Sequence, residues 1–334
     1  MRKPDICADM RIHTQLEDLQ GIKRPVLTTG TFDGVHHGHR LVLERLIDRA
    51  RKEDGESMLF TFHPHPRMVL DPGATDLKLL STPVEKAALL RETGLDHLLV
   101  VPFSRDFSRM TAKEYVRQVL VERIGVHAVV IGHDHRFGRD RAGDLALLQQ
   151  MGPQLGFLVE EIPAHEVDHV LVSSTQVRQA LQRGDVRLAN DLLGYTYPVS
   201  GVVVKGDQIG RTLGFPTANI GGIDPHKLLP GAGIYAAHVE LPASAPQVVF
   251  GGMLYVGPRP TIESGGGEQR VEVNIFGLPA ALDGGLRELY GEPITVRSLE
   301  KIRGDERFPD QVALSRQMVH DQQSAMAILE RIRK

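Results

Sequence analysis

Short apolar runs alternate with helical periodicities along the first half of the chain. Val26 to Thr29 is a four-residue run ending in a Gly-rich turn, and Leu41, Leu43, Leu46, Ile47 and Ala50 then recur at helical spacing. Ser57 to Phe62 predicts the next strand. Thr82-Pro83-Val84-Glu85 reads as a capping box with Pro at the first helical position, and Gly94 ends that helix. Leu98 to Phe103 predicts a strand, and Thr111-Ala112-Lys113-Glu114 a second capping box whose helix closes at Gly125. His127 to Gly132 predicts a strand, Leu145 to Met151 a helix and Gly156 to Ile162 another strand. Strand–helix alternation at this spacing predicts a parallel sheet with helices on both faces. Ligands of such sheets sit beyond the carboxyl ends of the strands.

The pattern changes near residue 195. One helical stretch, Gln176 to Leu193, ends at Gly194. Short β-type segments follow at Val199 to Val204, Gly233 to Glu240, Val248 to Val256, Arg270 to Phe276 and Ile294 to Leu299. Gly/Pro turns separate them, which predicts a small antiparallel β-barrel. Asp310 to Arg331 predicts a closing helix.

Composition narrows the function classes. The 334 residues suggest two domains, and 24% charged with 41% hydrophobic residues is a globular balance. A net charge of −3 offers no basic surface to recruit nucleic acid or an anionic membrane. Trp is absent and aromatics make up 5%, which disfavours a stacking platform for single strands. The lone Cys7 excludes an internal disulfide and a Cys-based zinc site. No apolar run reaches membrane-span length and the N-terminus has no signal-peptide core, so a cytoplasmic protein is expected.

Gly30-Thr31-Phe32-Asp33-Gly34-Val35-His36-His37-Gly38-His39 follows the first strand and opens the first helix. Glycine lets backbone amides approach a ligand closely, and a helix N-terminus favours an anion. His36 and His39, at i and i+3 around Gly38, could donate hydrogen bonds to phosphate oxygens. Ser173-Ser174-Thr175-Gln176-Val177-Arg178 opens another helix, with hydroxyl caps and an arginine one turn inside, a second phosphate cradle. Gly132 to Arg139 and Thr61 to Pro66 carry His-X-His spacings at strand ends. They lie in loops and no acidic ligand recurs at fixed spacing, so a dedicated zinc site is not expected.

In the second half, Gly206-Asp207-Gln208-Ile209-Gly210-Arg211-Thr212-Leu213-Gly214-Phe215-Pro216-Thr217-Ala218-Asn219 is dense in functional residue types. A hydroxyl and an amide oxygen two residues apart can share one hard cation, and the Gly-rich stretch can close over phosphates. No Walker lysine motif is present.

These segments resemble a known family. Gly30 to His39 is similar to the GxFDGVHxGH element of the nucleotidyltransferase superfamily, and Ser173 to Arg178 to its SSTxxR element. With the TFxPHP and GxDxxFG stretches, the first half resembles the adenylyltransferase half of the bacterial bifunctional riboflavin kinase/FAD synthetases. In the second half, Gly210 to Asn219 resembles the GRxxGFPTAN motif of riboflavin kinases, Gly257 to Thr261 their GxRPT turn and Arg270 to Asn274 their VExH strand. Asn274 stands where the family more often has His, and Gly277 to Gly291 is longer than that loop usually is.

The resemblance implies a Rossmann-like nucleotidyltransferase domain over residues 25–186, a linker over 187–197 and a riboflavin kinase barrel over 198–334, after an N-terminal extension of 24 residues. It implies phosphorylation of riboflavin by ATP to FMN, then adenylylation of FMN by ATP to FAD with release of pyrophosphate. His36, His39, Arg178 and Glu272 are the implied catalytic residues, with Glu272 as base. Gly30, Phe32, Asp33, Gly38, Asp134, Ser173, Ser174, Thr175, Gly206, Gly210, Arg211, Arg303 and Phe308 are the implied nucleotide and flavin contacts. Thr217 and Asn219 are the implied Mg²⁺ ligands. Riboflavin, FMN and ATP are the expected partners of a monomer or weak homo-oligomer, with no nucleic acid and no membrane. Two rivals remain: a protein with one active half, and a flavin or nucleotide sensor without turnover. A sensor would be expected to lose His39 or Glu272, and both are present.

Overall fold

A computed structural model describes residues 10–71, 73, 77–132, 135–163, 172–206, 210, 213–243, 245–258, 269–278 and 289–333. The chain divides into two compact units, residues 1–174 and 175–334.

In the first unit, β1 (Arg11–His13), β2 (Val26–Thr29), β3 (Ser57–His63), β4 (His97–Pro102), β5 (Ala128–Gly132) and β6 (Leu158–Ile162) form one parallel sheet in the order β1-β4-β3-β2-β5-β6. The expected parallel sheet is therefore present. Its strand order reverses between β2 and β5, so the ligand crevice of such a sheet opens beyond Thr29 and Gly132. One face carries Leu27, Met58, Phe60, Leu99, Val129 and Ile131. It packs under a helical segment, α5 (Ala112–Glu114) continuing as a π-helix over Tyr115–Arg123, and under α6 (Leu145–Leu155). The alternate strand positions Val26, Leu59, Leu98, Ala128 and Val130 are buried as well. α1 (His37–Lys52) packs on β2, β3 and β5 through Leu43, Leu46, Ile47 and Ala50.

Helix starts follow the local chemistry. The capping boxes of Thr82 with Glu85 and of Thr111 with Glu114 both form, and Thr82 opens α3 (Pro83–Arg91) with Pro at its start. α2 (Pro66–Leu70) and α4 (Arg105–Ser108) are short turns after β3 and β4. β1 lies inside the segment expected to be an extension; it adds an edge strand to β4, with Arg11 opposite His97. Being three residues long and exposed on much of its surface, it leaves no periodic trace in the sequence.

The second unit opens with two helices where one was expected: α7 (Ser174–Arg183) and α8 (Val186–Leu193). Gly184 takes φ +77° and Asp185 caps the new helix by accepting from Leu188 N–H, so the chain turns there although the apolar spacing continues. Both helices lie on the barrel: Gly231 N–H donates to Leu181 O, and the Asn190 amide bonds to Ser298 O and to Tyr197 N–H.

β7 (Tyr197–Val204), β8 (Ala218–Gly221), β9 (Gly233–Glu240), β10 (Val249–Pro258), β11 (Gln269–Ile275) and β12 (Pro293–Arg303) close an antiparallel barrel in the order β10-β11-β8-β7-β12-β9. β8 begins at the end of the Gly206–Asn219 motif, where no strand was expected. α9 (Gln311–Arg333) closes one side, packing Ala325 with Ile234, Ala236 and Met253. The other parity of β9, Tyr235, Ala237 and Val239, is fully buried.

Two candidate active sites

In the first unit, β2 delivers the chain into a strained turn. Phe32, Gly34 and Val35 all have positive φ, at +44°, +82° and +39°. For Phe and β-branched Val this conformation is costly and persists only where neighbours impose it. Asp33 is one of those neighbours. Its carboxylate, 2% exposed, accepts from Leu80 N–H at 2.9 Å and Ser81 N–H at 3.1 Å, while Ser81 Oγ accepts from Gly34 N–H. Asp33 is therefore turned inward as a strap, and the Ser174 hydroxyl donates to its carbonyl at 3.1 Å.

The turn presents three stacked rings. Phe32 lies 4.6 Å from His39, and His39 lies 3.7 Å from His36, centroid to centroid. His36 caps α1, its Nδ1 accepting from His39 N–H at 3.4 Å, which leaves the His36 proton on Nε2 as a donor. His39 Nδ1 is buried and has no partner among the described residues. Burial, reinforced by His36 and Lys86, holds the His39 pKa well below the usual imidazole range. A Cβ at Gly38 would lie 3.3 Å from the His36 ring, so that ring would have to give by a few tenths of an ångström. Gly30 likewise faces the Phe32 ring, at 3.0 Å.

The division between units falls within the Ser173–Arg178 segment. Ser173 and Ser174, the first residue of α7, belong to the first unit, whereas Thr175 and Arg178, further along α7, belong to the second. Asp134 lies outside the described residues. Lys86, on α3, had no sequence signal, yet its Nζ donates to Thr31 O at 2.7 Å beneath the turn.

In the second unit, β8 and β11 pair so that Asn219 stands opposite Glu272. Thr217 Oγ1 donates to Glu272 Oε2 at 3.2 Å, and Arg270 forms an ion pair with the same carboxylate. Gly206 makes room for Asn219: a Cβ there would fall 2.1 Å from its Nδ2. Gly210 lies against Phe215 O and Thr217 Oγ1. Thr217, Asn219, Glu272, Gly206 and Gly210 are thus brought together, while Arg211 lies outside the described residues, as do Arg259 to Thr261 of the GxRPT turn and most of the long loop after Gly277. Asn274, only 5% exposed, donates from Nδ2 to Pro216 O at 2.7 Å and so fixes the residue before Thr217.

A cleft of about 650 Å³ adjoins this cluster, lined by Thr217, Tyr255, Glu272, Arg303, Phe308 and Met318 among others. Its size suits a drug-sized organic ligand. Arg303 lines it and is held there: its guanidinium pairs with Asp321, 1% exposed on α9, by two Nε contacts of 3.0 Å and one NH2 contact of 2.8 Å. The Phe308 ring lies 5.3 Å from that guanidinium. Tyr255, opposite Glu272 on β10, was not anticipated; burial and the Asp305 carboxylate raise its pKa. Among the described residues no helix is long and apolar enough to cross a membrane.

The FAD synthetase family model matches residues 20–176 and the riboflavin kinase model residues 193–329. The chain is 38% identical over 304 residues to the bifunctional riboflavin kinase/FMN adenylyltransferase of Escherichia coli K12, covering 90% of this chain and 91% of that one. It is 31% identical to the protein of the same name from Bacillus subtilis, over 93% and 94% of the two chains. A solved structure from Streptococcus pneumoniae, titled a macrolide-efflux protein, superposes with TM-score 0.82 at 30% identity and covers 95% of this chain and 98% of its own. The chain belongs to the bifunctional riboflavin kinase/FMN adenylyltransferase family, with a FAD synthetase domain followed by a riboflavin kinase domain.

Proposed function

We propose that adenylyl transfer is carried by His36, His39 and Arg178, within residues 25–186, and phosphoryl transfer by Glu272, within residues 198–334. The ring stack on the strained turn supports the first assignment, because strain is retained where geometry matters to function. The FMN phosphate is already anionic and needs no strong base to attack the α-phosphorus of ATP. It needs oriented donors around the α-phosphate and the departing pyrophosphate, and His36 Nε2–H is one. Gly30, Phe32 and Gly38 shape that turn, with Asp33 and Ser174 holding its backbone and Ser173, Thr175 and Asp134 completing the nucleotide contacts.

Riboflavin presents an alcohol, a poor nucleophile at neutral pH, and a carboxylate base suits it. Thr217 Oγ1 already donates to Glu272 Oε2, the position a substrate hydroxyl would take. The donor set here is a hydroxyl, an amide oxygen and a carboxylate, all hard oxygens suited to Mg²⁺. Thr217 and Asn219 would hold the ion, the Thr217 oxygen lending a lone pair while its O–H still donates to the Glu272 carboxylate. Bound Mg²⁺ supplies charge neutralisation of the transferring phosphate. Gly206, Gly210 and Arg211 would close over the ATP phosphates. Arg303 and Phe308 would face the flavin from the cleft. The linker 187–197 then carries α8, docked on the barrel by Asn190. The working compartment we propose is the cytoplasm, which supplies ATP.

The test separates the halves. His36→Ala and His39→Ala should each lower FAD formation from FMN by ~10²–10³-fold, the usual effect of deleting one oriented donor, and leave FMN formation from riboflavin unchanged. Equal loss of both activities would refute the assignment.

A further inference from the structure

Lys86 belongs to neither motif set. It follows Glu85 of the capping box, so α3 places it under the Gly30–Gly34 turn. Its ammonium donates to Thr31 O at 2.7 Å, and Thr61 Oγ1 reaches the same oxygen at 3.4 Å. Together with Asp33, Thr61, Ser81, His63 and His65 it lines a small pocket. A planar trans peptide points its C=O and N–H to opposite sides. Drawing the Thr31 carbonyl toward Lys86 therefore turns the Phe32 N–H away from it and sets the residue whose ring stacks on His39.

The charge matters as well as the hydrogen bond. The titratable groups acting on His39 are His36, from its own turn, and Lys86, from α3, and both oppose a positive charge there. Burial lowers the Lys86 pKa, opposed by Asp33, whose carboxylate is already committed to Leu80 and Ser81 N–H. We propose that Lys86 is a positioning residue for adenylyl transfer, holding the Thr31–Phe32 peptide under the ring stack. The inference rests on the assignment of His36 and His39 to that reaction.

The experiment uses the full chain with FMN, ATP and Mg²⁺. The kcat and KM of FAD formation are measured against pH for the wild type, Lys86→Met, Lys86→Gln and His39→Ala, with FMN formation from riboflavin as the folding control. Lys86→Met should lower kcat by ~10-fold or more, as a displaced catalytic turn does. It should also move the acid limb of the kcat profile to higher pH, because loss of the neighbouring cation makes His39 easier to protonate. The KM for ATP should stay within about threefold. Lys86→Gln keeps a donor without the charge; it should move the limb equally and retain more of kcat. Wild-type kcat and an unmoved limb in both variants, with His39→Ala inactive, would overturn the proposal and leave the histidine assignment standing. A large rise in KM for ATP with an unmoved limb would also overturn it, since Lys86 would then hold nucleotide directly. Full FAD formation by His39→Ala would instead sink the histidine assignment, and this inference with it.

Discussion

Glu272 sits between a guanidinium and a hydroxyl before any substrate arrives, so its orientation is fixed by the protein. Glu272→Gln keeps the size and the acceptor but cannot take the proton. It should lower FMN formation by ~10²–10⁴-fold with riboflavin binding retained, as single-turnover and binding assays would show. Near-normal turnover at saturating substrates would remove Glu272 from the mechanism. Asn219→Ala should raise the Mg²⁺ concentration for half-maximal FMN formation, since one hard oxygen is lost. Asn274 lies two residues beyond Glu272 on β11. The sequence marked it as a departure from His, yet not what it does, because a hydrogen bond to Pro216 O depends on a strand pairing no local pattern encodes. Removing that buried donor leaves a carbonyl unsatisfied, a cost of ~1–3 kcal/mol. Asn274→Ala should therefore lower the melting temperature and the FMN-forming rate together, whereas Asn274→His should recover the rate. Lys86 escaped the sequence for a similar reason: a lysine beside a capping box looks solvent-facing until α3 is docked.

Among elements, β2 and α3 were legible because their signals are local, an apolar run before a glycine turn and a box with proline. β1 and the break between α7 and α8 were not. The edge strand is held by backbone pairing to β4 and by a ring pair: His13 Nε2 lies 2.9 Å from His97 Nδ1, and Glu56 lies 3.6 Å from His97 on its other side. Burial lowers the pKa of both histidines, opposed by Asp18 at His13 and by Glu56 at His97, with Arg11 lowering both further. A base with a depressed folded pKa contributes stability that is complete above its unfolded value, about 6.5, and is lost as pH falls from there through the folded value. Amide exchange in residues 11–13 should quicken relative to the sheet core below about pH 6.5, and His13→Gln should flatten that dependence. α8 offers a second test. It buries Val186, Ala189 and Leu193, and Asn190 adds two hydrogen bonds, each worth about 1 kcal/mol. Full burial of a Val or Leu side chain contributes about 1.5–3 kcal/mol, so the helix matters on the scale of a domain's whole margin of ~5–15 kcal/mol. A fragment of residues 196–334 should melt well below one of residues 175–334, as calorimetry would show.

For the whole molecule, the two chemistries lie on different folds, and their motif sets share no residue. The compact fragment 175–334 should convert riboflavin to FMN and form no FAD, with products resolved by chromatography; FAD from that fragment would contradict the division of labour. The Ser173–Arg178 segment, proposed above to serve adenylyl transfer, crosses the same boundary. Ser174 reaches back to Asp33 O, whereas Arg178 rides on α7, whose Leu181 carbonyl is claimed by Gly231 of the barrel unit. Cutting before α7 strips the first half of an arginine, and cutting after it exposes the helix face that buries Val177, Ala180 and Leu181. Separation should therefore be one-way: residues 175–334 are expected to work as a free-standing riboflavin kinase, whereas a chimaera that exchanges the adenylylating half is expected to need α7 from the same parent, and with it the Gly231 turn that donates to Leu181 O.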